Sequence, residues 1–284
     1  MMRKQATTPA ECGMRGTIPI QQVAAFAEGP FEGNPAAVCS LDAWLPDALL
    51  QSIAAENNLS ETAFVVGVDG CYGLRWFTPS CEVDLCGHAT LAAAHVVFQQ
   101  DRDLEQIRFE SRSGDLLVRR RGERFTLDFP VQESRPCEAP PELNRALNLR
   151  TTACLQGVDL MAVVADEETV RRLQPDLAMV AALPGRGLIV TAPGINADFV
   201  SRFFAPGLGI DEDPVTGSAH CSLTPYWAEQ LGRSSLDARQ LSQRSGTLHC
   251  QLQGERVLIT GRVMPFLSGV IHLADLTPLT AKRH

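Results

Sequence analysis

The chain has 284 residues, of which 45% are hydrophobic and 20% are charged. This apolar fraction is enough to build a sizeable core, which excludes an intrinsically disordered chain, and the length suggests two domains or two halves of one. With 25 basic and 33 acidic residues, the formal net charge is −8. Nucleic acids and anionic membrane surfaces attract basic patches, so this charge argues against both as partners. A small anionic metabolite, held by local donors, remains compatible with it.

The two ends of the sequence and its cysteines indicate the cellular compartment of the protein. No stretch approaches the roughly 18 consecutive apolar residues that span a bilayer, so no membrane segment is predicted. Residues 1–16 lack the apolar core of a signal peptide, and we interpret them as a loose extension before the first strand. The nine cysteines include no C-x-x-C pair, which favours reduced thiols in a cytoplasmic protein.

Short β-type runs separated by turn signals dominate the chain, so the predicted class is α+β and rich in strands. In chain order, the predicted strands include Gln22–Ala27, Thr62–Val68, Gly73–Thr78, Ile107–Glu110, Leu116–Arg120, Phe125–Phe129, Gly187–Thr191, Thr247–Leu252 and Arg256–Arg262. The predicted helices are Pro46–Glu56, His88–Gln99, Glu167–Arg172 and Ser218–Leu231.

Two of these helices are apolar on nearly every side. His88–Phe98 reads HATLAAAHVVF, and Ser218–Leu231 reads SAHCSLTPYWAEQL. A helix without a polar face is buried on most sides, so we expect both inside the protein. Pro225 lies within the second helix and is expected to kink it or to make it restart.

An internal repeat gives the architecture. Arg75-Trp76-Phe77-Thr78-Pro79 is matched 127 residues later by Arg202-Phe203-Phe204-Ala205-Pro206. An acidic loop and a glycine turn follow each copy, at Gly87 and, 130 residues on, at Gly217, and each turn opens one of the apolar helices. We therefore expect two similar halves, residues 17–130 and 131–284, facing each other across a ligand cleft. The last strand, about 264–284, is expected to pack back on the first half.

Each glycine turn exposes the free backbone N–H groups of a helix N-terminus, which attract anions. The two openings are Gly87-His88 and Gly217-Ser218, and Asp213 lies just before the second. His88 and Ser218 add side-chain donors, while Asp213 adds an acceptor for an amine or hydroxyl of the ligand. We expect the two turns to lie within about 15 Å of each other, close enough to contact one small molecule.

The plainer interpretation is that these features are structural. Asp84 and Asp213 would then only cap the helices, and the glycines would only make turns. Two such turns related by the duplication favour a binding site over this interpretation.

Glu61 is a second candidate, at the start of the apolar run Thr62–Val68. From Gly16 to Leu74 the chain holds seven carboxylates and no Lys or Arg, so no neighbour in sequence holds Glu61 ionised. A buried carboxyl group in this situation is suited to proton transfer. The alternative is a glutamate at a strand start that faces solvent, and the spacing alone does not decide between them.

Other chemistries have weaker support. Cys86-x-His88 and His220-Cys221 offer metal ligands, but neither has the spacing of a zinc site, so no metal is predicted. No nucleophile elbow, Walker loop or dinucleotide-binding glycine motif follows a strand. Gly185-x-Gly187 lacks the remaining glycine of the dinucleotide motif, so no nucleotide cofactor is predicted either.

Several segments resemble the PhzF-like phenazine biosynthesis family, and the resemblance runs from about Ile18 to Val270. The matching segments are Gly33-Asn34-Pro35-Ala36-Ala37-Val38, Asn58-Leu59-Ser60-Glu61-Thr62-Ala63-Phe64, the Arg75–Pro79 strand end, Glu82–Ala92, Asp213–Cys221 and Gln240–Gly246, which has the family's Q-x-S-x-R-x-G form.

The resemblance implies a diaminopimelate-epimerase-like fold, in which each half wraps a β-barrel-like sheet around a central helix. It implies a homodimeric isomerase that moves a proton without a cofactor, as the type enzyme does on a dihydro-hydroxyanthranilate. Glu61 is then the proton shuttle. Substrate binding falls to His88, Asp213 and Ser218, with backbone donors from Gly87 and Gly217.

One departure from related enzymes keeps alternatives open. Related epimerases and racemases use two cysteines, one at each glycine turn, and Cys86 occupies that position in the first half. No cysteine lies between Arg202 and His220 in the second half, which disfavours a two-thiol mechanism. The alternatives are an amino-acid-type racemase or epimerase that uses Cys86 with another partner, and a small-molecule-binding protein without catalysis.

Overall fold

The computed structural model describes residues 16–273, in 17 strands and six α-helices. The predicted extension, residues 1–16, lies outside these residues except for Gly16, and so does the end of the predicted last strand from residue 274. Within the described range, no helix is long and apolar enough to cross a membrane.

The first half forms a closed barrel. Its strands are β1 (Gly16–Ala25), β2 (Asn34–Leu41), β3 (Glu61–Val68), β4 (Cys71–Phe77), β5 (Glu82–Val83), β6 (Gln106–Ser111), β7 (Gly114–Arg121) and β8 (Arg124–Pro130). The long strand β17 (Arg256–Leu273) comes from the end of the chain and pairs with both β8 and β1. Strands β1, β2, β3, β4, β6, β7, β8 and β17 thus complete a ring.

Helix α2 (Gly87–Gln100) fills this barrel. It is buried from His88 to Phe98 except at His95, and its middle is the small-residue run Ala92-Ala93-Ala94. Small side chains let the surrounding strands approach the helix on all sides, as the absence of a polar face predicts. The prediction of a buried helix at this position is confirmed.

The second half repeats the plan. Its strands are β9 (Arg135–Pro136), β10 (Ala153–Gln156), β11 (Leu160–Val163), β12 (Leu188–Pro193), β13 (Phe199–Ala205), β14 (Ile210–Asp213), β15 (Ser235–Gln240) and β16 (Gly246–Gln253). β2 runs parallel to β3, as β11 does to β12, and β4 runs parallel to β6, as β13 does to β15. The two halves therefore have the same pattern of strand pairing, as the repeat in the sequence predicts.

Helix α6 (Gly217–Leu231) is the central helix of this half and runs through Pro225 without interruption. The expectation that the helix restarts at Pro225 is wrong. Proline has no N–H for the carbonyl four residues earlier, which belongs to Cys221. That carbonyl instead accepts a hydrogen bond of 3.1 Å from the backbone N–H of Gln132. A neighbouring segment thus satisfies the oxygen that the proline leaves free.

Shorter helices cover the outside of the two sheets. Helix α1 (Asp47–Asn57) packs on the first half, through a cluster that includes Leu50, Phe64 and Phe77. The second half carries α3 (Leu143–Leu147), α4 (Glu167–Arg172) and α5 (Leu177–Ala181), with a 3₁₀ turn at Pro206–Leu208.

The repeated aromatic strand ends have the same contacts in both halves. Arg75 forms two parallel hydrogen bonds of 2.7 Å with the carboxylate of Glu82 and lies over the ring of Phe77. Arg202 does the same with Glu212, at 2.6 and 2.8 Å, and lies over Phe204. A forked pair of this kind fixes the orientation of both side chains. Each pair therefore holds in place the acidic loop that leads into the central helix of its half.

Strand β17 connects the two halves. Arg256–Thr260 pairs with β16 on one side, and Arg256–Arg262 pairs with β8 on the other. From Val263 onward the strand pairs with β1. The division into residues 17–130 and 131–284 stays a prediction, since this strand contributes to both sheets.

Candidate active site

The N-termini of the two central helices meet between the halves. A Cβ atom added at Gly87 would lie 3.6 Å from Cα of Gly217, and one added at Gly217 would lie 3.6 Å from Cα of Gly87. Glycine at both positions keeps the space between the two backbones free of side chains. The structure thus brings the two glycine turns together, at a distance that one small molecule can bridge.

Both helices begin without a side-chain cap. Their N-cap residues are Cys86 and Thr216, and within the described chain neither side chain accepts a capping hydrogen bond. The N–H groups of the first turns therefore remain available to a ligand. The interpretation of Asp84 and Asp213 as caps is wrong: Asp84 is exposed, and Asp213 accepts hydrogen bonds from other side chains.

Glu61 and His88 form a buried charge pair. Glu61 begins β3 and is 8% exposed, and His88 is the second residue of α2 and is 5% exposed. Nε2 of His88 lies 2.9 Å from Oε2 of Glu61. The contact is not well aligned as a hydrogen bond, and among the described residues this buried oxygen has no other donor. Since buried polar atoms are nearly always satisfied, this oxygen is able to accept a further hydrogen bond from a bound molecule.

Asn34 connects this pair to Asp213. Its Nδ2 donates to Oδ1 of Asp213 at 2.7 Å and lies 3.1 Å from Nδ1 of His88. The hydroxyl of Thr216 donates to the other carboxylate oxygen of Asp213. Three of the predicted side chains, Glu61, His88 and Asp213, therefore lie in one continuous chain of contacts.

Burial and charge set the protonation of this cluster. Burial, and then the Glu61 carboxylate, raise the pKa of the Cys86 thiol to about 11, so the thiol is protonated near neutral pH. Burial lowers the pKa of His88, but Cys86 and Glu61 raise it by more. Because the Cys86 thiol is neutral, the Glu61 carboxylate is the group that raises the pKa of His88. Burial also raises the pKa of Asp213, against the charge of His88.

The family-like segment Gln240–Gly246 holds the loop that precedes α6. The backbone N–H of Thr216 donates to Oε1 of Gln240 at 2.9 Å. Nε2 of Gln240 donates to the carbonyl oxygen of Asp213 at 2.8 Å. Both ends of one amide therefore fix the loop that carries the Asp213 carboxylate.

The same segment reaches across to the first half. Nε of Arg244 donates to the carbonyl oxygen of Gly33 at 2.8 Å, and the N–H of Gly33 donates to the carbonyl oxygen of Ser245 at 2.7 Å. Gly33 directly precedes Asn34. The position of the Asn34 amide thus depends on contacts from both halves.

Ser218 lies at the partly exposed edge of the site, as the second residue of α6. Its Oγ accepts a hydrogen bond of 2.9 Å from Nη2 of Arg186. Within the described residues it has no hydrogen bond to Glu61, His88 or Asp213. The structure places Ser218 on the facing helix end, separate from the cluster of the other three.

The site is narrower than the open cleft that the duplication predicts. Glu61, His88 and Asp213 are buried, and the two helix ends are in contact. Two surface cavities of about 230 and about 590 Å³ lie in the second half, and neither is lined by Glu61 or His88.

One group of side chains offers ligand atoms that could hold a metal. The ligand atoms of Glu61, Cys86 and His88 lie within 4.8 Å of one another. Nε2 of His88 lies 2.9 Å from the carboxylate and 4.0 Å from the sulfur of Cys86, and Nδ1 lies 3.5 Å from that sulfur. His220, the other candidate ligand, is committed through Nδ1 to the carbonyl oxygen of Thr216 at 2.8 Å.

Sequence reasoning assigned no role to four side chains at this site: Asn34, Thr216, Gln240 and Arg186. The first three lie inside the family-like segments. Polar residues that become buried need partners, and this requirement could have identified them. Arg186 lies between Gly185 and Gly187, which do not complete a dinucleotide-binding motif.

Comparison with known proteins identifies the family. Residues 23–269 match the family model described as phenazine biosynthesis-like protein. This chain belongs to the phenazine biosynthesis-like family. An uncharacterised isomerase of Pseudomonas aeruginosa is 54% identical to this family member over 257 residues, which are 90% of this chain and 99% of that protein. The resemblance seen in the sequence is thereby confirmed.

Solved structures agree on the fold. A PhzF-family phenazine biosynthesis protein from Enterococcus faecalis has a TM-score of 0.89 and 48% identity, covering 91% of this family member and 100% of that chain. A hydroxyproline epimerase from Agrobacterium vitis has a TM-score of 0.58 at 10% identity, covering 92% and 94%, which shows a shared fold alone. The predicted α+β fold, with two barrel-like halves around central helices, is confirmed.

Proposed function

We propose that this protein is a cofactor-independent isomerase that moves a proton within a small carboxylated metabolite, with Glu61 as acid and base. The isomerase class rests on the family and on relatives that are named isomerases. The resemblance to the dihydro-hydroxyanthranilate isomerase of phenazine biosynthesis supports a proton shift as the reaction. The substrate class rests on the two facing helix N-termini, which suit an anionic group.

The single observation that carries the proposal is the state of Glu61 Oε2. This oxygen is buried, lies 2.9 Å from Nε2 of His88 in a poorly aligned contact, and has no other donor among the described residues. Glu61 takes a proton from a substrate carbon, so that a C–H bond breaks and an O–H bond forms. It then returns the proton to another atom of the same substrate. The imidazole stabilises the Glu61 carboxylate before the first step and after the second, when the glutamate carries the negative charge.

The other predicted residues bind the substrate in this proposal. Asp213 accepts a hydrogen bond from a substrate amine or hydroxyl, and His88 and Ser218 add donors. The first-turn N–H groups at Gly87 and Gly217 hold the anionic group.

The protonation of Cys86 supports Glu61 over the thiol as the base. Burial and the neighbouring carboxylate raise the pKa of Cys86 to about 11, so little thiolate exists near neutral pH. In the second half, Thr216 occupies the N-cap position that corresponds to Cys86. A racemase or epimerase that relies on Cys86 is therefore the less supported alternative.

The test is a screen of small carboxylated metabolites for exchange of substrate C–H for C–D in heavy water. We expect wild-type protein to catalyse exchange on one of them, which would identify the substrate. Glu61→Gln should lower the rate by about 10²–10⁴-fold, because the amide cannot take up the proton. Glu56→Gln is the matched control, since Glu56 is exposed on the nearby helix α1.

Two outcomes contradict the proposal. Normal exchange by Glu61→Gln, together with loss in Cys86→Ala, would assign the chemistry to the thiol. Metabolite binding by wild-type protein without any exchange or isomerisation would favour the binding protein that lacks catalysis.

A homodimer in the cytoplasm is part of the proposal. Exposed apolar side chains gather on one side of the first half, where the rings of Phe31 and Phe266 have centroids 6.4 Å apart. Leu267 and Val270 follow on the same strand and are about half exposed. Such patches are typical of interfaces. The cysteines of the described residues are free thiols, which suits a reducing compartment.

A further inference from the structure

The contact between Arg186 and Ser218 in the second half resembles the contact between Glu61 and His88 in the first. Glu61 begins β3, which runs parallel to β2, and contacts the second residue of α2. Arg186 lies two residues before the start of β12, which runs parallel to β11, and contacts the second residue of α6. The two facing helix ends thus have different partners, an acid at the imidazole of His88 and a cation at the hydroxyl of Ser218.

Arg186 is held firmly in this place. Its Nε donates to Oδ1 of Asp159 at 3.0 Å, and its Nη2 donates to Oδ2 at 2.7 Å. Asp159 is 2% exposed, and the guanidinium also lies over the ring of Phe203, with Cζ 5.6 Å from the ring centroid. A forked ion pair to a buried carboxylate, together with an aromatic face, fixes the plane of the guanidinium.

The backbone around Arg186 is adapted to this arrangement. Gly185 has a φ of +101°, a conformation that residues with side chains rarely adopt. A Cβ atom at Gly187 would lie 2.5 Å from Cζ of Phe203, the ring that carries the guanidinium. The two glycines singled out in the sequence therefore serve to position the arginine between them.

One edge of the guanidinium remains available. Asp159 occupies the edge formed by Nε and Nη2, and within the described residues Nη1 has no hydrogen-bond partner. The Arg186 side chain is 36% exposed, so the group is reachable from solvent. The chain's two lysines, Lys4 and Lys282, lie outside the described residues.

We propose that Arg186 is a substrate-binding residue that takes the carboxylate of the substrate at the α6 end of the site, beside Ser218. This inference rests on the proposed function and adds the orientation of the substrate: the anionic group faces the second half, and the reacting carbon faces Glu61. Because Nη2 donates to Oγ of Ser218, the serine hydroxyl keeps its own hydrogen for the same carboxylate.

The test compares two probes of the same shape and different charge, 2-aminobenzoate and 2-aminobenzamide. Each carries an amine for Asp213, and only the first carries a carboxylate. Titration calorimetry on wild-type protein should show about tenfold or greater preference for the acid, as one charged hydrogen-bond partner provides. Arg186→Gln should remove this preference and leave the affinity for the amide unchanged. Arg186→Lys should keep part of it.

Two further variants keep the result interpretable. Arg186→Gln leaves Asp159 as a buried unpaired charge, so the double variant Asp159→Asn with Arg186→Gln is included to preserve the fold. It should show the same loss of charge preference. Arg145→Gln is the matched control, because Arg145 makes an exposed ion pair with Glu142 on the outside of the second half. It should bind both probes as wild type does.

The proposal is overturned if Arg186→Gln and the double variant keep the preference for the acid. It is also overturned if wild-type protein binds the two probes equally or binds neither. Glu61→Gln separates this result from the proposed function, since it should bind both probes normally while losing exchange. Loss of charge preference in Arg186→Gln, together with normal exchange by Glu61→Gln, would support the carboxylate site and reject Glu61 as the base.

Discussion

Single residues in this site take their roles from neighbours that are distant in sequence. Glu61 has no Lys or Arg near it in the chain, yet it lies 2.9 Å from the imidazole of His88. Cys86, two residues from that histidine, is kept as a neutral thiol by burial. The thiol is therefore not available as a base near neutral pH.

The space between the helix ends gives the first residue-scale prediction. Gly217→Ala should fold with unchanged or slightly higher stability, because its Cβ meets Gly87 at an ordinary contact distance and alanine favours the helix by up to about 1 kcal/mol. The methyl group fills the position where the ligand approaches the N–H groups, so exchange should fall about tenfold or more. Thermal unfolding and the exchange assay together measure this.

Gly232→Ala is the comparison for this prediction, since Gly232 follows α6 at its other end and lies away from the site. It should lose stability, because its φ is +66°, and it should keep exchange activity per folded molecule. Full exchange by Gly217→Ala would contradict ligand binding between the two helix ends.

His220 gives a pH-dependent prediction. It is fully buried, and burial lowers its pKa to about 4. An unfolded histidine takes up a proton below about pH 6.5, while the folded one stays neutral to about pH 4. The stability contributed by this group is therefore complete above pH 6.5 and declines as the pH falls toward 4, by roughly 3 kcal/mol in all.

Urea unfolding between pH 7 and pH 4 tests this dependence. In His220→Asn the amide can donate to the carbonyl oxygen of Thr216, and its free energy of unfolding should fall less steeply with pH. His249→Asn, at a half-exposed position, should keep the wild-type slope. An equal slope in His220→Asn and wild type would assign the acid sensitivity to other groups.

Whole elements differ in how much of their surface is enclosed. Helix α1 covers the outside of the first barrel and buries only Leu50, Ile53 and Ala54. Helix α2 buries ten of its residues, because strands surround it. Since the walls of a closed barrel cannot move apart independently, space around α2 is limited on every side.

This enclosure predicts a large effect of adding volume inside the barrel. Ala93→Leu should lower the free energy of unfolding by about 1–3 kcal/mol, because the packed strands cannot accommodate three more carbons without strain. Gln99→Leu, at an exposed position of the same helix, should change it by no more than about 0.5 kcal/mol. Chemical denaturation compares the two, and equal effects would show that the helix is not enclosed.

The whole molecule depends on strand β17, which joins both sheets and closes the first barrel. Within the described residues, its portion from Val263 to Leu273 pairs only with β1, so one edge is without a strand partner. The side chains of Phe266, Leu267 and Val270 on this portion are 61%, 51% and 51% exposed. An open edge with exposed apolar side chains is suited to association with a second copy.

Sedimentation velocity tests this association. Wild-type protein should sediment as a dimer of the 30.8-kDa chain, and Phe266→Asp should shift it toward the monomer by placing a charge in the apolar patch. Leu208→Asp is the control, since Leu208 is 60% exposed in a turn of the second half. A monomeric wild type, or a dimer that Phe266→Asp leaves intact, would contradict the proposed homodimer.

Much of the fold could be predicted from local sequence patterns alone. The α+β class, the two buried helices, the duplication and the glycine turns follow from the sequence, because hydrophobic periodicity and turn residues act over a few positions. The family-like segments located Glu61, His88 and Asp213. Local rules were wrong where a distant segment intervened, as at Pro225, whose helix continues because Gln132 satisfies the free carbonyl.

Only the tertiary structure decided which of these groups meet. Asn34 lies 54 positions from His88 and 179 positions from Asp213, yet its amide contacts both. Arg186 reaches Ser218 across 32 positions. Such contacts depend on strand register and on the way the halves face each other, since a shift of one residue turns every side chain of a strand to the other face. The sequence determined the elements and the candidate residues, and long-range packing determined the site that they form.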